Sequence, residues 1–153
     1  MKYGMIDFLG QKGQDEWVIV DVFDYKTNGF FVDLAAQHAK IDSNTYVLEK
    51  DLKTKTLEYV LDKYDAPSTI DYLNLDIEGA ETRVLRNFPF DKYKFLAITI
   101  ERPTAELEEN LKRNGYVFVK KSRVKMWEGL LDFDSFYVHE SIPNFSQIME
   151  REG

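Results

Sequence analysis

A chain of 153 residues is the size of one domain, and with 44% hydrophobic and 14% aromatic residues it can bury a real core. Its 27 Asp and Glu against 20 Lys and Arg leave a formal charge of −7 and a pI of about 4.9, without the basic footprint that nucleic-acid binding needs. The absence of cysteine excludes a disulfide framework, a thiolate zinc site and a cysteine nucleophile.

The opening MKYGMIDFLGQKGQDEW has no apolar signal core, and no apolar run approaches the ~20 residues that cross a bilayer. The expectation is a soluble cytoplasmic protein with neither a membrane nor a nucleic acid as partner. Residues 1–27 read as an N-terminal cover segment, 28–140 as an α/β core and 141–153 as a tail, all within a single domain. In the cover segment Trp17, Val18, Val20 and Phe23 suit one face of a helix or a short strand, and periodicity does not choose between them.

Asn28-Gly29 is a turn signal, and Phe30–Leu34 after it reads as a strand buried on both faces. The segment from Ser43 to about Leu52 reads as a helix with Ser43 or Asn44 as its cap. A clearer helix places Leu57, Val60, Leu61 and Tyr64 on one side behind Thr56 as cap, and Pro67-Ser68 break the pattern. Ile70–Ile77 is the next strand, Ala80–Phe88 a helix stopped by Pro89, and Phe95–Ile100 a third strand. Thr104–Asn114 is a helix with Leu107 and Leu111 inward and Asn114-Gly115 as its end. Tyr116–Val119 and Phe136–Val138 form an antiparallel terminal hairpin. Strands alternating with helices of about ten residues demand a parallel sheet, so the expected fold is a small α/β doubly wound sheet of about five strands with an antiparallel end.

In open parallel sheets ligands bind beyond the carboxyl ends of the strands. Three strands finish there in acids: Asp33, then Asp76 with Glu78 and Glu81, then Glu101. Carboxylates gathered on one rim can accept hydroxyls, hold a hard divalent cation or take a proton as general base, and Gly79 permits close backbone approach. The competing reading of each acid is a helix cap or a solvated turn. His38 follows the first strand where a ligand would lie. His139 has no metal-ligand spacing to a partner, and the cluster Lys120, Lys121, Arg123 and Lys125 reads as a solvated face beside a strand end.

The runs Gly13–Val18, Asn28–Leu34, Ser43–Lys50 and above all Ile70-Asp71-Tyr72-Leu73-Asn74-Leu75-Asp76-Ile77-Glu78-Gly79-Ala80-Glu81 resemble FkbM-type S-adenosylmethionine-dependent methyltransferases. Phe88-Pro89-Phe90, Lys92–Phe95, Ile98–Glu101, Gly115-Tyr116 and Asp134–Val138 continue the resemblance in order from about residue 13 to 140. It implies a reduced Rossmann-like methyltransferase fold, mostly parallel with an antiparallel C-terminal hairpin. The implied ancestral activity is methyl transfer from S-adenosylmethionine to a hydroxyl acceptor. Asp33, Ala35, His38 and Asp76 fall at its cofactor positions, and Asp76, Glu78 and Glu101 at its catalytic rim, with no resident metal assigned.

This chain departs from the family in three places. The glycine-bearing loop after the first strand here reads Asp33-Leu34-Ala35-Ala36-Gln37-His38-Ala39, with alanine at both glycine positions. A Glu-His-Asn-like run is replaced by Glu101-Arg102-Pro103, so a titrating histidine gives way to an arginine that cannot act as a base. Lys50–Lys53 joins directly to Thr54–Leu57, which removes roughly two βα units, on the order of 60 residues, and with them the acid that grips the cofactor's ribose. The same deletion makes Phe30–Leu34 an edge strand, which calls for cover by the N-terminal segment or for a homodimer through residues 30–34. The alternative to methyl transfer is therefore a shortened, catalytically inactive relative acting as a binding or assembly module.

Overall fold

The computed structural model describes residues 14–35, 55–77, 79–126 and 129–152. The expected helix at 43–52 and the alanine-bearing loop from Ala36 onward lie outside these residues. Among them, α1 (Gln14–Glu16) runs directly into a π-helical segment (Trp17–Val22). It is followed by β1 (Phe31–Ala35), α2 (Leu57–Lys63), β2 (Thr69–Asp76), α3 (Glu81–Leu85) and β3 (Lys94–Glu101). The chain continues through α4 (Ala105–Arg113), β4 (Tyr116–Met126), β5 (Gly129–His139) and α5 (Phe145–Glu152). The five strands form one open sheet in the order β1-β2-β3-β5-β4. Here β1, β2 and β3 are parallel, while β5 is antiparallel to both β3 and β4. This is the expected α/β sheet with its antiparallel end.

Local chemistry sets the helix ends where the sequence placed them. The Thr56 hydroxyl accepts from the Tyr59 N–H at 3.1 Å and the Thr104 hydroxyl from the Leu107 N–H at 3.3 Å, each satisfying an amide that has no partner within its helix. After α4 the chain turns at Gly115, where φ is +80° and a Cβ would lie 3.0 Å from His139 Nε2, so both conformation and space require glycine.

The sheet buries its two faces differently. On one, α2, α3 and α4 pack Leu57, Leu61, Leu85, Leu107 and Leu111 against Leu73, Leu75, Ile98 and Ile100. On the other, the π-helical segment, the turn after β5 and α5 pack Trp17, Val22, Ile142 and Ile148 against Ala97, Phe136 and Val138. Trp17 meets Phe136 edge to face at 4.7 Å, and the Asn144 amide ties the start of α5 to the Val22 carbonyl at 2.8 Å.

Three elements differ from their expected form. The hairpin strands have 11 residues each, so Lys120, Lys121, Arg123 and Lys125 lie within β4 and not beside its end. Two register shifts, between Phe118 and Lys120 and between Lys121 and Arg123, break the period-two pattern that would have revealed the strand. Residues 145–152 are α5 and not a tail: Phe145, Ile148 and Met149 fall at helical spacing, and Ile148 is fully buried. The undecided stretch around Trp17 is a π-helical turn, whose widened spacing matches neither ordinary period.

Trp17 is 2% exposed, and its indole N–H has no hydrogen-bond partner among the described residues. The ring thus contributes packing, and its donor is a liability. Trp17→Ala is expected to destabilise the domain by about 3–5 kcal/mol and Trp17→Phe by less than about 1.5 kcal/mol, measured by urea unfolding.

Candidate functional site

Strand alternation sorts β2 into two sets. Leu73 and Leu75 point into the helical core, and Tyr72, Asn74 and Asp76 point to the opposite face. The parallel register places Asp33 beside Asn74 and Asn74 beside Thr99, so three adjacent strands put polar groups on that face in one row. They are joined. The Thr99 hydroxyl donates to Asn74 Oδ1 at 2.7 Å, and the Asn74 amide donates to Asp33 Oδ1 at 2.8 Å. Thr99 and Tyr72 hydroxyls lie 2.5 Å apart; since the single proton of Thr99 goes to Asn74, Tyr72 is the donor. Thr99 is fully buried, so this chain fixes its rotamer and aims the Asp33 carboxylate at the sheet surface.

One pleat further along lies a row of acids. Ala35, the last residue of β1, is in register with Asp76, and Glu101 with Asp134. Carrying the β2–β3 register one residue past Leu75 and Ile100 sets Asp76 beside Glu101. Glu101 is 9% exposed and Asp134 2%, and they face each other across neighbouring strands. The Gln14 amide of α1 donates to Asp134 Oδ2 at 2.6 Å, and the Asp134 N–H donates to the Ser122 hydroxyl at 3.0 Å. Arg102 keeps its guanidinium beside the rim, with Nε 4.0 Å from Glu101 Oε1. With φ of +41°, it donates its N–H to the Phe133 carbonyl and lays its guanidinium 4.9 Å from the Phe133 ring.

The structure therefore brings Asp33, Asp76 and Glu101 to the same end of one sheet face, with Ala35 at the end of β1. His38 and Glu78 lie outside the described residues. Glu81 belongs to the fold: it is buried, and its Oε1 accepts the N–H groups of Ile77 at 3.0 Å and Gly79 at 3.1 Å, closing the turn after β2. His139 is also structural. It is buried against Tyr116 at 5.1 Å, and its Nδ1 accepts the Ser141 N–H at 3.0 Å. Burial, and then the Lys94 charge, hold it below the usual imidazole range.

Reading acids at strand ends missed Asn74, Thr99 and Asp134. The signal for the first two was present, because polar side chains at alternate positions of otherwise apolar strands share one face. Asp134 entered only as the first residue of the terminal strand in the resemblance. Among the described residues no group of three His, Cys, Asp or Glu side chains has the arrangement to hold a metal ion. No helix among them is long and apolar enough to cross a membrane.

The family profile of the Methyltransferase FkbM domain matches residues 12–118, more than two thirds of the chain. The chain belongs to the FkbM methyltransferase family. At a stringent threshold no curated protein and no solved structure matches it. FkbM domains depend in general on S-adenosylmethionine, so the fit of that cofactor can be tested against the site. The acidic row suits its positive sulfonium. For its nucleoside the described residues offer no wall: β1 is the outermost of their strands, and nothing in the sheet they form lies beyond it to carry a ribose-binding acid. Between Ala35 and Thr56 the chain has only residues 36–55, too few for the two βα units that would supply that wall.

Glu81 gives a direct check on the division between fold and site in this FkbM domain. Glu81→Ala leaves two turn amides without their acceptor and is expected to lose about 1–3 kcal/mol of stability in urea unfolding, whereas Glu81→Gln, which keeps Oε1, stays close to the parent.

Proposed function

We propose that this chain is a shortened FkbM-family domain that binds a hydroxyl-bearing polar ligand on its acidic rim and does not act as a self-contained S-adenosylmethionine-dependent methyltransferase. The observation carrying this reading is the position of β1 at the sheet edge. A cofactor gripped at one end only leaves its adenosine in water, and every polar group of a ligand that finds no partner in its site weakens binding by about 1–3 kcal/mol. What remains on the rim suits hydroxyls. Asp33, already oriented by Asn74, and the acids Asp76 and Glu101 are acceptors on one face: Asp76 and Glu101 lie on neighbouring strands, about 4.8 Å apart, and Asp33 sits one pleat back on β1.

Assembly is part of the same reading. Phe31 is 71% exposed on an edge strand, an arrangement that favours pairing with a second copy of the chain.

A second reading, methyl transfer to a hydroxyl acceptor, is favoured by the family and by the row of Asp76, Glu101 and Asp134 at the catalytic end of the sheet. Calorimetric titration with S-adenosylmethionine and its demethylated product separates the two. The proposal expects no saturable heat up to millimolar ligand, and micromolar binding of either molecule would establish the second reading in its place.

A further inference from the structure

A second feature of the molecule lies at the opposite end of β1 from the acidic rim. A cavity of about 430 Å³ opens between the π-helical segment and the start of β1, walled by Val18, Ile19, Phe23, Phe30 and Phe31. That volume falls within the range of small-molecule sites. Its polar groups are concentrated in one ion pair, Lys26 Nζ to Asp71 Oδ1 at 2.5 Å. Asp71 Oδ2 also accepts the Phe30 N–H at 2.9 Å, so the carboxylate is held in place by the strand it serves.

The backbone around this cavity is unusual. The Phe23 N–H reaches back five residues to the Val18 carbonyl at 3.1 Å, the wide turn of a π-helix. Immediately afterwards Asp24, Tyr25 and Asn28 take φ of +45°, +59° and +62°, conformations that non-glycine residues rarely adopt. Wide turns and left-handed residues of this kind concentrate where a chain is shaped around a ligand. Three of the left-handed residues fall in the short stretch between the π-helical segment and β1, whose Phe23, Lys26 and Gly29 line the cavity.

The chemistry of the wall selects a ligand class. Aromatic and branched side chains on facing sides accept a flat apolar body. The ion pair offers an ammonium with donors beyond the one given to Asp71, next to a carboxylate with lone pairs beyond those already taken. A group that accepts from Lys26 and donates to Asp71 is a neutral hydroxyl. A carboxylate would be repelled by Asp71, and an ammonium by Lys26. We propose that this cavity binds a neutral aromatic molecule bearing a hydroxyl group. The site is separate from the rim, and the proposal stands whether or not S-adenosylmethionine binds.

The test is calorimetric titration of the full chain with naphthol and with naphthoate, together with methyl-resolved NMR. One naphthol is expected to bind per chain, at least about tenfold tighter than naphthoate, shifting the methyl signals of Val18 and Ile19. Lys26→Met is expected to weaken naphthol by up to about tenfold, and Ile19→Trp, which fills the cavity, to abolish binding. The wild-type NMR map decides the location even where a variant fails to fold. Absence of saturable binding, preference for naphthoate, or shifts confined to other residues overturns the proposal. So does a dimer that dissociates in Phe31→Glu while naphthol fails to bind, because the surface then belongs to a second copy.

Discussion

The length of chain between β1 and α2 governs this molecule more than any single contact. After Ala35 the backbone has residues 36–55 in which to reach the Thr56 cap of α2, and the next strand it can enter is β2, directly beside β1. A parallel sheet grows by crossover units of about 30 residues, so a connection of this length is too short for the two further units of the family pattern. Among the described residues the sheet ends at β1. The β1–β2–β3–β5 rim keeps its acids in register, and among the described residues no strand lies beyond β1 to flank a nucleoside.

Strand alternation then divides the labour within what remains. Leu73, Leu75, Ile98 and Ile100 hold the helices, and their neighbours Tyr72, Asn74, Asp76, Thr99 and Glu101 form a polar floor on the reverse face. Burial of the apolar set is what holds the polar set rigid, since Thr99 and Asn74 sit on strands that cannot shift without breaking the core. Trp17 and α5 close part of the reverse face, and Gln14 reaches over to Asp134. The hydrogen-bonded chain from Tyr72 to Asp33 also spans the distance between the cavity beside the π-helical segment, which Tyr72 helps to line, and the acidic rim.

Periodicity alone located α2, α4, β2 and β3, because their apolar residues repeat cleanly and Thr56 and Thr104 mark two helix starts with side-chain caps. The edge position of β1 followed from the FkbM resemblance, since its residues alone read as a strand buried on both faces. Elements whose signal is broken were not legible. The irregular register of β4 hides Lys120–Lys125 inside a strand, and the wide π turn around Trp17 follows neither the helical nor the strand period. Among the rim residues, Asp33, Asp76 and Glu101 could be named from strand ends. Glu81 looked the same in one dimension, and only its two backbone hydrogen bonds assign it to the turn. Asn74 and Thr99 belong to the polar floor through pairing between strands, which no local window of sequence contains.

The reading of the rim depends on β1 being the outermost strand of a single chain, and amide hydrogen exchange across a dilution series reads that directly. The Phe30 carbonyl is bonded to β2, so alternation directs Val32 and Leu34 amides inward and those of Phe31, Asp33 and Ala35 outward. At the lowest concentration Val32 and Leu34 should be protected while Phe31, Asp33 and Ala35 exchange freely, with any protection of the outer three growing only as copies associate. Strong protection of all five amides, unchanged by dilution, would place another strand of the same chain beyond β1 and contradict the account.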